Sequence, residues 1–444
     1  MGRARQIASA ENMDRILLDA SAASTDEGEH LLLDGSAAST DVGFFINTEI
    51  GTTETPPEGF VIESSLATSA VTSAKIASDA VDNSKLAVDA QRLANRNMVI
   101  NGNMEIHQRR ATDTHNDSVI DRYTLVKNNL DTADFTTKHQ SITDNPPFSN
   151  ELEIKCTTND TSIASNELIR VRYRFEASTL QRLCYGTPDA KSSTLSFYVK
   201  TNLEGETFGV ALTTQDGTSQ VIGTTYTIEQ ANTWQRVIFN VPGNVNGTIN
   251  NDTGNGMMLV WGLTVGSGFR GTDNSDWVNN SDAANLTGHT ANIASSTDNE
   301  WHLTGVQWEL GDTATEFEQE SFEQNLARCQ RYYQKSYNYE GDPGTATTAG
   351  EIGNDGNPSS GANTGQMIDF HSYYCEMRTT PTMTFYDVAG TSGKVSTTKH
   401  GTNEYNGETG DVFRGGTKNF SVQRPASGNS ANSIRWHFEA TAEL

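Results

Sequence analysis

Aromatic side chains beside polar residues are the groups in this sequence best suited to non-covalent binding chemistry. Trp277 ends the polar run 271–277, and only Val278 is an apolar neighbour of it. An indole face packs against the C–H groups of a sugar ring, and nearby Asn, Asp or Arg side chains bind its hydroxyls and charged substituents. Trp277 is therefore our candidate for an exposed binding platform, with a loop anchor as the alternative. Tyr185 is a weaker candidate.

A second polar segment lies near the end of the chain. His400, Asn403 and Tyr405 fall in the Gly/Thr/Asn-rich stretch 392–419, which predicts a loop. Because binding residues often sit on loops of a rigid β scaffold, we expect these three side chains to contact a receptor. A solvated turn is the alternative. Three other tryptophans are in phase with apolar strand positions and are predicted core residues: Trp234, Trp308 and Trp436.

Two charged groups carry weaker signals. Asp273, Asn274 and Asp276 offer the oxygen ligands that Ca²⁺ prefers, but they lack the spacing of an EF-hand loop. Three arginines alternate along one predicted strand and stand out in an acidic chain. Such a stripe either binds phosphate on a polysaccharide or pairs with acidic residues of a neighbouring subunit, and we favour the subunit contact. These arginines are Arg170, Arg172 and Arg174.

The sequence predicts neither catalysis nor a cofactor or metal centre. It has no nucleophile elbow, H-E-x-x-H motif or phosphate-binding Gly loop, and among 56 acidic residues some close carboxylate pairs arise by chance. The histidines are dispersed and the cysteines show no C-x-x-C spacing, so we expect free, mostly buried thiols and no zinc site. We therefore expect a protein that is not an enzyme. The cysteines are Cys156, Cys184, Cys329 and Cys375.

The composition favours an extended extracellular or virion protein over a compact enzyme. Of 444 residues, 35% are hydrophobic and 38 are glycine, and the net charge is −25. This charge disfavours nucleic acid and anionic membranes as partners. No apolar run is long enough to span a bilayer, and the basic residues 1–5 precede no apolar segment. We therefore predict neither membrane insertion nor a secretory signal peptide.

Two tandem repeats precede the β-patterned body. Residues 14–28 recur as 29–43, each copy with one apolar triplet, and a shorter unit repeats after Val71. One unit has too few apolar side chains to bury a face alone, so it needs neighbouring copies in its own chain or in others. We expect residues 1–60 to attach to a partner and 61–96 to form a narrow three-chain stalk. The predicted attachment residues are Leu17, Leu18, Leu32 and Leu33, and the predicted axial residues are Ile76 and Leu86.

The remaining chain is predicted to be mostly β structure. Apolar and polar residues alternate in short runs over 97–319, which predicts half-buried antiparallel strands of a β-sandwich. Alternation resumes over 339–444 and predicts a second β domain. Between them, over 320–338, a capping box of Ser321 and Gln324 opens a predicted connecting helix of about four turns. Its apolar residues at helical spacing are Phe322, Leu326, Cys329, Tyr333 and Tyr337.

In these segments the sequence resembles tail-fibre proteins of tailed bacteriophages, especially those of marine cyanophages. The resemblance covers nearly the whole chain, and the order of its landmarks carries it. Trp308 departs from the pattern, because an aliphatic residue is usual there. The landmarks are the two N-terminal repeats, the opening run 97–106 with Gln108 and Arg109, the triplet 121–123, the closing segment 303–318, the segment 329–337 and the terminal triplet 442–444.

The resemblance implies a mostly β virion protein with an N-terminal repeat anchor, a short trimeric stalk, a jelly-roll β-sandwich, a connecting helix and a C-terminal β-sandwich tip. The implied homotrimer would assemble in the host cytoplasm and attach to a phage tail tube, adaptor or nozzle protein. Its distal β domains would adsorb to a host polysaccharide or lipopolysaccharide. The alternatives are a purely structural tail or collar component and, with less support, a polysaccharide depolymerase.

The stalk is testable with the double variant Ile76→Asp/Leu86→Asp. Carboxylates in an axial apolar layer are costly to desolvate, so we expect the parent trimer to dissociate to a lower mass in analytical ultracentrifugation. The control Ser73→Asp/Asn83→Asp adds the same charge at polar positions of the same repeat and should keep the parent mass. An axial variant that stays as tightly associated as the parent would contradict the stalk.

Overall fold

The computed structural model describes residues 95–110, 112–113, 119–130, 132–144, 147–354, 367–399, 403–424 and 433–444. The predicted attachment residues Leu17, Leu18, Leu32 and Leu33 and the axial residues Ile76 and Leu86 lie outside the described residues. The described chain belongs to one compact unit that ends at Leu444. Within that part of the chain, no helix has the length and apolar character needed to span a bilayer.

Two six-stranded antiparallel sheets form a β-sandwich, which confirms the predicted fold class for this region. Neighbours within each sheet are often distant in sequence, so long crossovers connect the two layers. The first sheet contains, in spatial order, β1 (Thr112–Asp113), β3 (Asp134–Ser141), β4 (Asn150–Thr158), β12 (Glu300–Leu310), β6 (Ser193–Thr201) and β9 (Gln235–Val241). The second contains β11 (Val278–Asn279), β8 (Gln220–Thr227), β7 (Thr207–Thr214), β10 (Asn255–Val265), β5 (Leu168–Glu176) and β2 (Tyr123–Asn128).

The core lies between these two sheets and is built from the inward-facing residue of each alternating pair. Trp308 is fully buried there, as predicted. Strand β10 is apolar on both faces: Leu259 and Trp261 enter the main core, and Val260 packs with Leu286 in a second cluster on the outer side of the sheet. Short 3-10 turns connect some strands: Ala177–Leu183, Ser267–Phe269, Asp282–Ala284 and Ile293–Ser295.

The predicted connecting helix exists but is shorter than predicted. Helix α1 spans Phe322–Gln330, and Ser321 and Gln324 form the predicted capping box. The predicted extension of the helix to residue 338 is wrong, because the helix ends at Gln330 and Tyr333–Lys335 form strand β13, which pairs with the last strand of the chain. Of the two predicted apolar positions after Gln330, Tyr333 is buried in β13 and Tyr337 is buried just after it.

Two further sheets form the C-terminal β region. Its core includes the predicted core residue Trp436, which is fully buried. The last strand pairs with four others and is the centre of the third sheet. The third sheet contains β13, β14 (Ile352–Asn354), β16 (Thr382–Tyr386), β17 (Lys394–Lys399), β18 (Asn403–Thr409) and β21 (Ser433–Thr441). The fourth contains β15 (Met367–Ser372), β20 (Asn419–Arg424) and β19 (Asp411–Gly415).

The predicted loop 392–419 is largely strand, so that prediction is wrong. Strands β17, β18 and β19 lie within it, and β17 pairs with both β18 and β21. Thr397, Thr398, Asn403 and Thr409 occupy paired positions between β17 and β18. Such pairing overrides the weak local preference of a Gly/Thr/Asn-rich sequence for a loop.

A buried ion-pair network joins the chain terminus to the β-sandwich. Arg109 contacts Glu443 Oε1 at 3.0 Å and Asp121 Oδ1 at 3.1 Å, and Arg122 pairs with the other oxygen of Glu443. The Arg122 guanidinium also lies 3.5 Å from the ring centre of Tyr332. Burial alone would raise the pKa of Glu443, but attraction to Arg122 and Arg109 outweighs it and lowers that pKa.

We expect Glu443→Gln to destabilise the fold by about 3 kcal/mol. This is the lower end for breaking a buried ion pair, because the Glu443 side chain is 27% exposed. Since its pKa is lowered on folding, its stabilisation is complete above the ordinary carboxyl range near ~4.3 and is lost as pH falls through the lower folded value. Urea unfolding at several pH values should therefore show a shallower acid loss in Glu443→Gln.

The control is Glu376→Gln, which removes an exposed carboxylate 3.6 Å from Lys418 Nζ and should change stability by less than about 1 kcal/mol. Burial, with a smaller contribution from Glu443, raises the pKa of Asp121, so the Asp121 contribution has the opposite pH dependence. Equal stability of Glu443→Gln and the parent would show that the network does not hold the terminus.

Candidate functional site

Trp277 occupies the position of a loop anchor. Its indole N–H donates to the Pro242 carbonyl at 2.8 Å, its ring packs edge to face with Tyr185 at 5.7 Å, and it contacts the main core. The side chain is half-buried, so the loop-anchor alternative describes it better than an exposed platform. Tyr185 is itself buried, and its weaker candidacy is wrong.

The oxygen-rich residues near Trp277 build the turn instead of facing a common centre. Asp273 accepts from the Ser275 N–H at 3.0 Å, and Asp276 accepts from the Trp277 N–H at 2.7 Å. The buried Asn274 amide donates to the Ala284 carbonyl at 2.7 Å. Both carboxylates therefore have a local backbone donor, and the Asn274 side chain fixes the loop to Ala284.

The predicted receptor residues of the C-terminal region are only partly described. His400 lies outside the described residues. The backbones of Asn403 and Tyr405 belong to β18, where they pair with Lys399 and Thr397 of β17. These two residues therefore sit on a strand and not on the predicted loop. Their role in binding stays a prediction.

The structure brings together a charged cluster on the outer face of the first sheet that the sequence did not indicate. Strands β4 and β12 alternate, so Leu152 and Trp301 enter the core and the intervening residues face outward. His302 of β12 is the direct cross-strand partner of Glu153 on β4 and of Lys200 on β6. Sequence distance hid this group, because its members come from three separate strands.

Ion pairs hold this cluster together under nearly complete burial. His302 Nδ1 lies 2.8 Å from Glu151 Oε1, and its Nε2 lies 3.4 Å from Glu300 Oε1. Lys200 Nζ lies 3.4 Å from the other Glu151 oxygen. Glu151, Glu153 and His302 are 3%, 6% and 4% exposed. Charges of both signs alternate across the strands, so each buried carboxylate faces a basic group.

Glu151, Glu153 and His302 also meet the distance condition for a metal site, since their ligand atoms lie within 4.8 Å of one another. However, Lys138 Nζ is 3.3 Å from Glu153 and Lys200 Nζ is 3.4 Å from Glu151. These ammonium groups already supply the positive charge that a cation would bring. The donor set therefore fits an ion-pair network better than a metal centre.

Trp234 stands at the edge of this cluster and is not a core residue, contrary to prediction. Its indole is half-buried, its N–H donates to Asp144 Oδ1 at 3.0 Å, and Lys200 Nζ lies 4.6 Å from its ring centre. Slight burial would raise the pKa of Asp144, but hydrogen bonds from Trp234 and Lys200 lower it. Together these groups make a partly open aromatic surface bordered by charge.

The alternation of β9 explains the error and could have revealed it. Val237, Phe239 and Val241 face the core, all at odd positions. Trp234 is in phase with the outward residues Arg236 and Ile238 instead. A second aromatic residue shares this outer face, as Tyr198 of β6 is half-buried 5.9 Å from the Arg236 guanidinium.

A glycine in β12 makes room for the aromatic cover of this face. Gly305 has a φ of 62° and lies at a register shift between Thr304 and Gln307. A Cβ on Gly305 would come within 2.5 Å of the Phe148 ring. Phe148 in turn packs 5.2 Å from Tyr198. Both the left-handed backbone and the ring contact therefore require glycine here.

No protein-family model and no curated protein matches the chain. Among solved structures, it is similar to the enzymatically active domain of tailspike protein 4 from bacteriophage CBA120, at a TM-score of 0.28 and 13% identity over 49% of this chain and 22% of that one. It is also similar to a CBM4 module, at a TM-score of 0.25 and 12% identity over 48% and 98% of the two chains.

A third similar structure is a family 11 carbohydrate-binding module from Clostridium thermocellum in complex with a mixed-linked tetrasaccharide. Its TM-score is 0.23, with 12% identity over 47% of this chain and 98% of the module. At these TM-scores the likenesses carry no argument about this protein, whose β-sandwich is established by its own strand pairing.

Replacing the central lysine tests the ion-pair network. We expect Lys200→Met to lower stability by about 1–3 kcal/mol, because it removes one of the two basic partners of the buried Glu151 carboxylate. Lys191→Met removes an exposed lysine that precedes the same strand and should change stability by less than about 0.5 kcal/mol. Urea unfolding measures both. Equal stability of the two variants would show that Glu151 does not depend on Lys200.

Proposed function

We propose that this protein is a phage tail fibre that binds a host-surface glycan non-covalently through its β domains. The proposal rests on the resemblance of the ordered landmarks, on the N-terminal repeats and on the mostly β body. In this proposal Leu17, Leu18, Leu32 and Leu33 attach the fibre to a tail tube, adaptor or nozzle protein. Ile76 and Leu86 form the axis of a trimer, whose copies raise a weak affinity per site by avidity.

The observation that carries glycan binding is the Trp234 surface on the first sheet. A half-buried indole offers apolar area for sugar C–H groups, and its own N–H is held by Asp144. Lys200 borders the indole and can bind hydroxyls, as can Glu300, which is held beside it by the buried His302. Because the cross-strand ion pairs already fix these side chains, binding a sugar costs little side-chain conformational entropy.

Binding without cleavage is part of the proposal. The Glu151 and Glu300 carboxylates flank His302. Glycan hydrolases also use a pair of carboxyl groups, so this arrangement is the basis of the depolymerase alternative. We favour binding because Glu151 is buried and already paired with both His302 and Lys200. Release of reducing ends from a bound polysaccharide would support the depolymerase alternative instead.

Trp234→Ala tests the proposed site. The parent is first screened on an array of bacterial surface polysaccharides, and a monovalent oligosaccharide from a positive spot is then titrated by calorimetry. Loss of the aromatic contact should weaken binding by about tenfold. Phe370→Ala removes a 70% exposed aromatic side chain from the C-terminal region and should bind like the parent.

The triple variant His400→Ala/Asn403→Ala/Tyr405→Ala is the competing arm of the same titration. If it loses binding while Trp234→Ala keeps it, the glycan site belongs to the C-terminal region. If the parent binds no polysaccharide on the array, the adhesive function itself is wrong and the structural tail or collar alternative is favoured.

A further inference from the structure

The outer face of the second sheet carries a row of three arginines on β5, here called the arginine ladder: Arg170, Arg172 and Arg174. The strand alternates, so Val171 and Tyr173 enter the core while the ladder faces outward. All three arginine side chains are half-buried. At about 3.3 Å per residue, the Cα atoms of successive ladder arginines lie about 6.6 Å apart along the strand.

Two of the three ladder side chains have no hydrogen-bond or ion-pair partner among the described residues. Within the described part of the chain, Arg170 and Arg172 make no side-chain hydrogen bond or ion pair, and Arg170 Nε is buried without an acceptor. Asp282 attracts Arg170 only at longer range. Arg174 differs, because it donates to the Leu444 carbonyl and is attracted by Glu443. The open positions of the ladder are therefore Arg170 and Arg172.

The flanking strands do not neutralise these charges. On β2, the cross-strand partner of Arg172 is Thr124 and that of Arg170 is Val126. On β10, the corresponding partners are Val260 and Gly262. Directly paired residues share a face of the sheet, so uncharged side chains border the ladder on both sides. A chain with 56 acidic residues has placed none at these four positions.

The arrangement costs folding free energy. Burial, together with repulsion by Arg174 and Arg170, lowers the pKa of Arg172 to about 10. Burial and Arg174 likewise lower the pKa of Arg170. Like charges that are partly buried beside uncharged neighbours destabilise a fold. Arg170 and Arg172 are two such charges. An anionic ligand that pairs with both guanidinium groups would remove this cost on binding.

We propose that the arginine ladder binds an acidic polysaccharide through carboxylate, sulfate or phosphate groups spaced along the polymer. Guanidinium groups bind such oxyanions with paired hydrogen bonds, and a row of them favours a polymer over a single small anion. The subunit contact that the sequence pattern favoured is the alternative occupant, and the sedimentation measurement below distinguishes it. This inference rests on the proposed glycan binding and adds the charge of the ligand.

The test is calorimetry of the full chain with three probes: polygalacturonate, dextran sulfate and neutral dextran. Arg170→Gln/Arg172→Gln should weaken binding of at least one acidic probe by about tenfold or more, since two charge-assisted contacts are lost. The acidic probe that responds identifies a carboxylate or a sulfate-like ligand. Lys191→Gln/Lys418→Gln removes the same charge from two exposed lysines elsewhere and should bind within about twofold of the parent.

Stability separates a binding role from a structural one. Removing repelling, partly buried charges should leave the Tm of Arg170→Gln/Arg172→Gln equal to or above that of the parent. A clearly lower Tm with unchanged binding of the acidic probes would make the ladder structural and overturn the proposal. A lower oligomeric mass in sedimentation with unchanged binding would assign the ladder to a subunit contact, which also overturns it.

The outcome is distinguishable from failure of the proposed function. If the ladder variant binds both acidic probes like the parent while Trp234→Ala loses a surface polysaccharide, the adhesive function stands and the ladder proposal is wrong. If the parent binds neither acidic probe, the ladder proposal is wrong whatever the array shows. If the parent binds an acidic probe through the ladder but no surface polysaccharide, the anion site stands without the adhesive function.

Discussion

The ion pairs around Glu443 are the interaction on which the arrangement of the described sheets depends. Strand β21 is the centre of the third sheet, and it ends two residues before Glu443. Arg109 and Arg122 from the β-sandwich hold both oxygens of that carboxylate. Hydrophobic burial is non-directional, whereas two guanidinium groups can donate hydrogen bonds to one carboxylate in few orientations. The network therefore ties the end of the C-terminal strand to Arg109 and Arg122 of the β-sandwich region.

The two outer faces of the β-sandwich use charge in opposite ways. On the first sheet, acidic and basic residues alternate across β4, β12 and β6, so His302 and Glu151 are buried but paired. On the second sheet, Arg170 and Arg172 repeat one sign between uncharged neighbours. A face with balanced charge stabilises its own geometry, while a face of one sign needs a partner of the other sign. The first face therefore holds Trp234 in place, and the second has the character of an anion site.

Local sequence patterns predicted much of the fold. Alternation predicted the strands of the sandwich and the burial of Trp308 and Trp436, and Ser321 with Gln324 predicted the start of α1. The predictions failed where pairing with distant strands decided the structure. Tyr333 continues a helical spacing yet pairs with Thr441, and the Gly/Thr/Asn-rich stretch after residue 392 is held in strands by its neighbours. Trp234 was predicted to be a core residue, but the alternation of β9, in which Val237 faces the core, places Trp234 on the outer face.

The sequence by itself determined the period of each element, the residue types that fill the core and the presence of an arginine ladder, because these depend on neighbours within one strand or helix. Only the tertiary structure decided which distant groups meet. Arg109 and Glu443 are separated by 334 residues, and Glu151 and His302 by 151. Strand register sets such pairs, and register depends on how whole sheets pack. The partners of Trp234 and the uncharged cross-strand neighbours of Arg172 therefore became visible only in the folded protein.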